Sequence, residues 1–181
     1  MKEGGARQGD FLDVCRNCRT SYCCCHDTTP PVTKERRRII ETHLGTEMVR
    51  PDDLFVEADY VYPRLKADGY CIFHDSNTKK CLVHSVKPET CVAGPITFDI
   101  NVKTGKIEWF VKMESLCQLA KVVYDDKEWL MKHVASAKKE INRLVDQLDS
   151  RALKAILKKD EPETFKISED CLAKGILNKV A

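Results

Sequence analysis

Apolar positions in the last third of the chain recur at steps of three and four. Leu130, Val134, Ala137, Ile141, Leu144 and Leu148 fall on one side of a helix. The spacing predicts a long amphipathic helix, capped by Asp125 or Asp126 and running to about Asp149. Its stripe is expected to pack into the core rather than to form a groove for a partner. Residues 151–159 either continue this helix or form a second one. Glu161, Pro162 and Glu163 break the pattern, and Ser168 is expected to cap a short terminal helix that holds Cys171. Earlier in the chain, Thr33 and Gly45 bracket a helix over 34–44, with Ile39, Ile40 and Leu44 as its buried stripe.

Other stretches alternate at period two. Residues 96–102 and 106–112 read as two strands joined by a tight turn at Thr104-Gly105. Residues 54–56 and 60–62 read as shorter strands, punctuated by Pro51 and Pro63. Cys71-Ile72-Phe73 and Cys81-Leu82-Val83 flank a polar turn over 75–80, which predicts a hairpin with one thiol on each arm. Pro88 leads a turn into Cys91. No internal repeat and no low-complexity segment is evident.

Length and charge narrow the picture. With 181 residues, one domain is the default, and 43% hydrophobic content supports a modest core. The formal net charge of +2 gives no global pull toward nucleic acid or an acidic membrane. Lys34 and the arginines at 36, 37 and 38 are expected to form a solvated helix face. No stretch approaches the roughly 20 apolar residues of a bilayer span. The first ten residues are polar and lack the apolar run of a secretory signal. A cytoplasmic location is the expectation, with no membrane and no nucleic acid as partner.

The ten cysteines change the reading most. Cys15, Cys18, Cys23, Cys24 and Cys25 place five thiols within eleven residues. In a reducing compartment thiols stay reduced, so metal binding or catalysis is favoured over disulfides. Adjacent cysteines also pair poorly with each other. Two residues separate Cys15 from Cys18, a spacing that lets two thiolates converge on one ion. Nine separate Cys71 from Cys81, and nine separate Cys81 from Cys91. Soft sulfur suits zinc or iron–sulfur clusters, and the surplus of thiols implies several metals or one multi-iron cluster. His26, His74 and His84 lie beside the thiols but read first as hydrogen-bonding groups. His43 and His133 read as structural or exposed, and Cys171 as a small apolar residue. Three consecutive thiols cannot all point one way. Alternation in an extended segment, or a turn in which two neighbours converge, are the two arrangements open to Cys23, Cys24 and Cys25. No glycine-rich phosphate loop accompanies them.

At these residues the chain resembles the YkgJ-type cysteine-cluster family, whose members are described as zinc- or iron-chelating domains. The first block is Cys15, Cys18 and the Cys23-Cys24-Cys25 triplet, with Val32-Thr33 leading a helix. The second is Cys71-Ile72-Phe73, Cys81-Leu82-Val83-His84 and Lys87-Pro88-Glu89-Thr90-Cys91, with Cys117 as a late match. The triplet has one cysteine more than the family's pair, and Lys87 stands where the family has arginine. The resemblance implies metal ligands among Cys15, Cys18, Cys23, Cys24, Cys25, Cys71, Cys81, Cys91 and Cys117. It implies an iron–sulfur cluster, such as 4Fe-4S, or Zn2+ as cofactor. The expected fold is α+β: a small, irregular, metal-organised cysteine-cluster domain with short hairpins over 11–120, and a helical C-terminal segment over 121–181 packed on it. The expected role is structural, electron-carrying or metal-handling. Similarity of the cysteine block to a flagellin lysine methylase offers methyl transfer from S-adenosylmethionine as an alternative. An adaptor that docks a protein partner through the C-terminal helix is another.

Overall fold

The computed structural model describes residues 22–45, 53–159 and 163–181, with Tyr22 and Cys23 described by their backbone alone. A single helical turn, α1 (Tyr22–Cys25), precedes α2 (Lys34–Leu44). Thr33 caps α2 as its sequence predicts: the hydroxyl oxygen accepts from the Arg36 N–H at 3.1 Å. Gly45 ends the helix at φ 74°, where a side chain would be strained. Ile40 is fully buried, with Ile39 and Leu44 half-buried beside it. The basic run is not wholly a solvated face. Arg36 is 8% exposed, because Glu89 and Glu140 meet its guanidinium in the interior.

Two short antiparallel ribbons follow. β1 (Phe55–Glu57) pairs with β2 (Val61–Pro63), and β3 (His74–Asp75) pairs with β4 (Lys80–Cys81). Pro88 then leads not into a simple turn but into a five-residue helix, α3 (Glu89–Ala93), which carries Cys91. β5 (Ile96–Asn101) and β6 (Lys106–Lys112) form the expected hairpin. The Asn101 side chain holds its turn by accepting from the Thr104 N–H.

The remainder is largely helical. α4 (Gln118–Asp125), for which no pattern was evident, buries Leu119, Ala120 and Val123. Asp126 caps α5 (Lys127–Gln147), accepting from the Glu128 and Trp129 amides. Asp149 caps a separate helix, α6 (Ser150–Leu157). The expectation for the next stretch is corrected. Thr164–Cys171 is a strand, β7, and the terminal helix α7 begins only at Lys174 and runs to Val180. Phe165 and Ile167 alternate with Lys166, so the stretch has strand periodicity and completes a β5-β6-β7 sheet. Ser168 therefore sits opposite Trp109 and caps no helix, and Cys171 is exposed at the strand's end.

Two apolar clusters result. One joins Cys25, Val32, Ile40, Leu54, Phe55, Cys71, Phe73 and Val83. The larger one packs the inner face of the sheet (Ile107, Trp109, Val111) against Ala137, Ile141, Leu144 and Val145 of α5. The stripe of the long helix is thus occupied by core contacts. No helix among the described residues is long and apolar enough to cross a membrane.

His133 ties these parts together. Buried on α5, its Nε2 lies 3.1 Å from the carbonyl oxygens of both Ala93 and Gly94, at the end of α3. A protonated Nε2 donates to both. Burial is the main reason that its pKa lies below the ordinary 6.5. The unfolded chain takes up a proton there more readily than the fold. His133 therefore contributes stability above about pH 6.5, and that stability is lost as the pH falls through its depressed value. Glutamine keeps an N–H donor without titrating. His133→Gln is expected to flatten the fall in melting temperature between about pH 7 and pH 5. An unaltered slope would place the acid sensitivity elsewhere.

Candidate metal centre

The thiol-bearing segments are held together by backbone pairing. The Asp27 amide donates to Gly69 O at 2.9 Å, and the Cys71 amide donates to Cys25 O at 2.6 Å. A bridge between His26 and Tyr70 lies between them. The end of the triplet therefore runs antiparallel against residues 69–71. Gly69 is required at this contact. Its φ is +81°, and a Cβ there would meet Asp27 Oδ1 and His26 Nε2, each at 2.9 Å. Tyr70 stands edge-on to His26 at 4.8 Å and stacks on His74 at 4.3 Å, which fixes both rings.

Of the two arrangements open to the triplet, the structure has the turn. The Cys24 and Cys25 sulfurs lie 3.7 Å apart. Two thiolates on one tetrahedral ion with bonds near 2.3 Å would be separated by about the same distance. Cys24 is exposed, whereas Cys25 packs into the smaller core.

Cys71 and Cys81 occupy equivalent turns. In Cys71-Ile72-Phe73-His74 the His74 amide donates to Cys71 O at 2.8 Å, and in Cys81-Leu82-Val83-His84 the His84 amide donates to Cys81 O at 3.2 Å. In each turn the amide two residues on, Phe73 or Val83, donates toward the sulfur. Phe73 and Val83 are both buried and anchor the turns in the core. This is a local repeat of ten residues, carried by the pattern Cys, aliphatic, core residue, His. The sequence contains that signal, but it is short enough to be overlooked. The hairpin itself differs from expectation in one detail. Cys81 lies on an arm, opposite His74, whereas Cys71 lies in the turn before its arm.

Burial sets the state of these thiols. It pushes the Cys71 thiol up to about 11, against a smaller opposing effect of the Phe73 amide. Burial also raises Cys81, and raises Cys91 well above the ordinary thiol value. Lys87 works in the opposite direction on Cys81 and Cys91, and Lys66 does so on Cys71. The charges of Cys71, Cys24 and Cys81 in turn disfavour ionisation of Cys91. Cys91 thus lies within electrostatic reach of three thiols from distant parts of the chain. Neither lysine was evident as part of this environment from sequence; Lys87 is 8% exposed, unusual for a lysine without a purpose nearby.

The remaining residues divide as follows. Cys15, Cys18 and the side chain of Cys23 lie outside the described residues. Cys117 is half-buried at the N-cap of α4 and packs against the larger core, not the smaller. Among the described residues, no group of three Cys, His, Asp or Glu side chains converges closely enough to hold an ion. The donor chemistry still suits a soft metal: grouped thiols, amides aimed at sulfur, and two nearby cations that favour thiolate. Among the described residues no oxygen-rich cage competes with it.

No curated protein and no solved structure matches the chain. The family model CxxCxxCC, described as "Putative zinc- or iron-chelating domain", matches residues 14–118, more than half of the 181. That span begins just before Cys15 and ends just after Cys117. It contains the paired segments, both Cys-x-x-His turns and α3. The chain is a member of the CxxCxxCC family of zinc- or iron-chelating cysteine-cluster proteins.

Proposed function

We propose that Cys24, Cys25, Cys71, Cys81 and Cys91, together with Cys15, Cys18 and Cys23, supply the ligands of more than one zinc ion or of an iron–sulfur cluster in a cytoplasmic protein, and that the centre's first role is structural. One observation carries this reading: Cys91 shares its electrostatic environment with Cys71, Cys24 and Cys81, which the chain brings from three separate segments. Without a metal such an arrangement has little to recommend it. Each buried sulfur holds its proton, and the thiols oppose one another's ionisation. A bound cation removes both penalties at once, since it displaces the protons and neutralises the thiolates. The amides of Phe73 and Val83 and the charges of Lys66 and Lys87 would then stabilise the anionic sulfurs. Cys117, on the other core, is the outlying member of the set.

Anaerobically purified protein should contain metal, and its visible spectrum distinguishes the two centres: broad absorption marks an iron–sulfur cluster, and colourless protein with bound zinc marks the other. Cys71→Ser or Cys81→Ser should lose most of that metal; full retention in both would overturn the ligand assignment.

Complete chelation should lower the melting transition of the smaller core while leaving the sheet and α5 folded for longer, because metal binding contributes on the order of 10 kcal/mol to folding in small thiolate sites. A single transition unchanged by metal removal would contradict it.

The pH dependence has a defined sign. In the metal-free chain the raised thiol pKa values stabilise the fold below about pH 8.5, and that stability is lost as the pH rises toward the folded values, about 11 for Cys71. Metal binding releases the same protons, so apparent affinity should climb with pH across the alkaline range. Competition titrations against a chelator at about pH 7 and pH 9, corrected for the chelator's own protonation, measure this; equal apparent affinities at the two pH values would exclude buried thiols as ligands.

A further inference from the structure

The five-residue helix α3 is clamped at both ends by groups that are not thiols. At its N-terminal end Glu89 is completely buried. Its Oε1 accepts from the Thr33 hydroxyl at 2.7 Å and lies 3.6 Å from Arg36 Nε. Arg36 also donates to Glu140 Oε2 at 2.6 Å, and Arg143 donates to the same oxygen at 2.6 Å. At the other end, His133 lies against the Ala93 and Gly94 carbonyls. Pro88, which leads into the helix, is buried as well. Cys91 sits midway between the two clamps.

Two further points argue that this network serves more than packing. Glu89 Oε2 is buried with no hydrogen-bond partner, and Arg36 Nε likewise. Buried ionic groups are costly, and apolar side chains of similar volume often serve stability as well or better. Retained buried charge is better explained by geometric specificity, because ion pairs and hydrogen bonds fix distance and direction where apolar contacts slide. The second point is helical phase. Residues two apart project to opposite sides of a helix, by about 200°. Glu89 turns toward α2, so Cys91 is directed away from it, toward the other thiols whose charges it feels.

We infer that Glu89 is a positioning residue for the metal centre, fixing the Cys91 sulfur by anchoring α3 to Thr33 and Arg36. The inference rests on the proposed function, in which Cys91 is a ligand. Glu89 does not itself touch the metal. It holds the short helix at the depth and rotation at which the Cys91 sulfur meets its partners, and Glu140 extends the anchor to α5. Outer partners of metal ligands commonly change affinity by about 10- to 100-fold when removed.

The test uses the full chain with Co2+ as the probe, read by chelator competition and by the sulfur-to-cobalt charge-transfer band. Four proteins are compared: the natural chain, Glu89→Gln, Glu140→Gln and Cys91→Ser. Glutamine at 89 can still accept from Thr33 but no longer attracts Arg36. Glu89→Gln is expected to bind Co2+ about tenfold more weakly, or worse. Its charge-transfer band should also shift, at temperatures where circular dichroism shows the chain folded. Glu140→Gln, at the accessible end of the network, should move both readouts the same way by less. Cys91→Ser should lose the band's intensity from one sulfur. Natural affinity and spectrum in Glu89→Gln, while Cys91→Ser is impaired, would overturn the positioning role and leave the ligand reading intact. Full binding in Cys91→Ser would overturn the ligand reading, and this inference with it. If Glu89→Gln does not fold, Glu140→Gln decides alone, and an unchanged affinity and spectrum overturn the inference.

Discussion

A thiol removed from water cannot ionise unless something replaces its proton. This constraint governs the first half of the molecule. Cys71, Cys81 and Cys91 are pushed upward by burial, and their mutual repulsion would make successive ionisation harder still. A fold that gathers such groups without a cation gains only the packing of small apolar side chains. The proposed cation would add a crosslink between α1, the two Cys-x-x-His turns and α3. The paired backbone of residues 25–27 and 69–71 brings the segments close. The smaller core takes in Phe73 and Val83, the equivalent residues of the two turns.

Much of the fold was legible in the chain because it followed from local rules. The Thr33 cap and Gly45 stop, the β5–β6 hairpin and the stripe of α5 each depend on a periodicity or a single capping residue. The failures have equally definite causes. Residues 164–171 carry a serine that can cap a helix, but their alternation found an open edge on β6, and tertiary pairing prevailed over the local cap. Arg36 reads as a surface residue from its basic neighbours. Nothing nearby in sequence announces Glu89 and Glu140, which arrive from 53 and 104 positions away.

The candidate centre was legible to a different degree. Cysteine spacing and the order of the two blocks pointed to the family and to thiol ligands. The supporting groups did not show, since lysine, glutamate and a pair of amides have no signature of their own. Lys87 illustrates this: it stands in the family's arginine position and reads as a departure, yet in the fold it is buried and its charge reaches Cys81 and Cys91. One short helix, α3, carries Cys91 within the electrostatic reach of Cys71, Cys24 and Cys81 and lays Ala93 into the larger core.

The late strand β7 has a bearing on solubility. β6 carries Ile107, Trp109 and Val111 on one face, a run that would be adhesive if its hydrogen-bonding edge were open. β7 covers that edge and replaces it with one on which Lys166 and Glu169 project into solvent, joined to Glu108 and Lys106 by ion pairs. Charged residues along an outer strand discourage other chains from adding to the sheet. The eight residues of β7 therefore act as a guard against self-association as well as a structural layer. A chain cut short before Thr164 would present strand-pairing groups beside a buried tryptophan, which is the composition of an aggregation site.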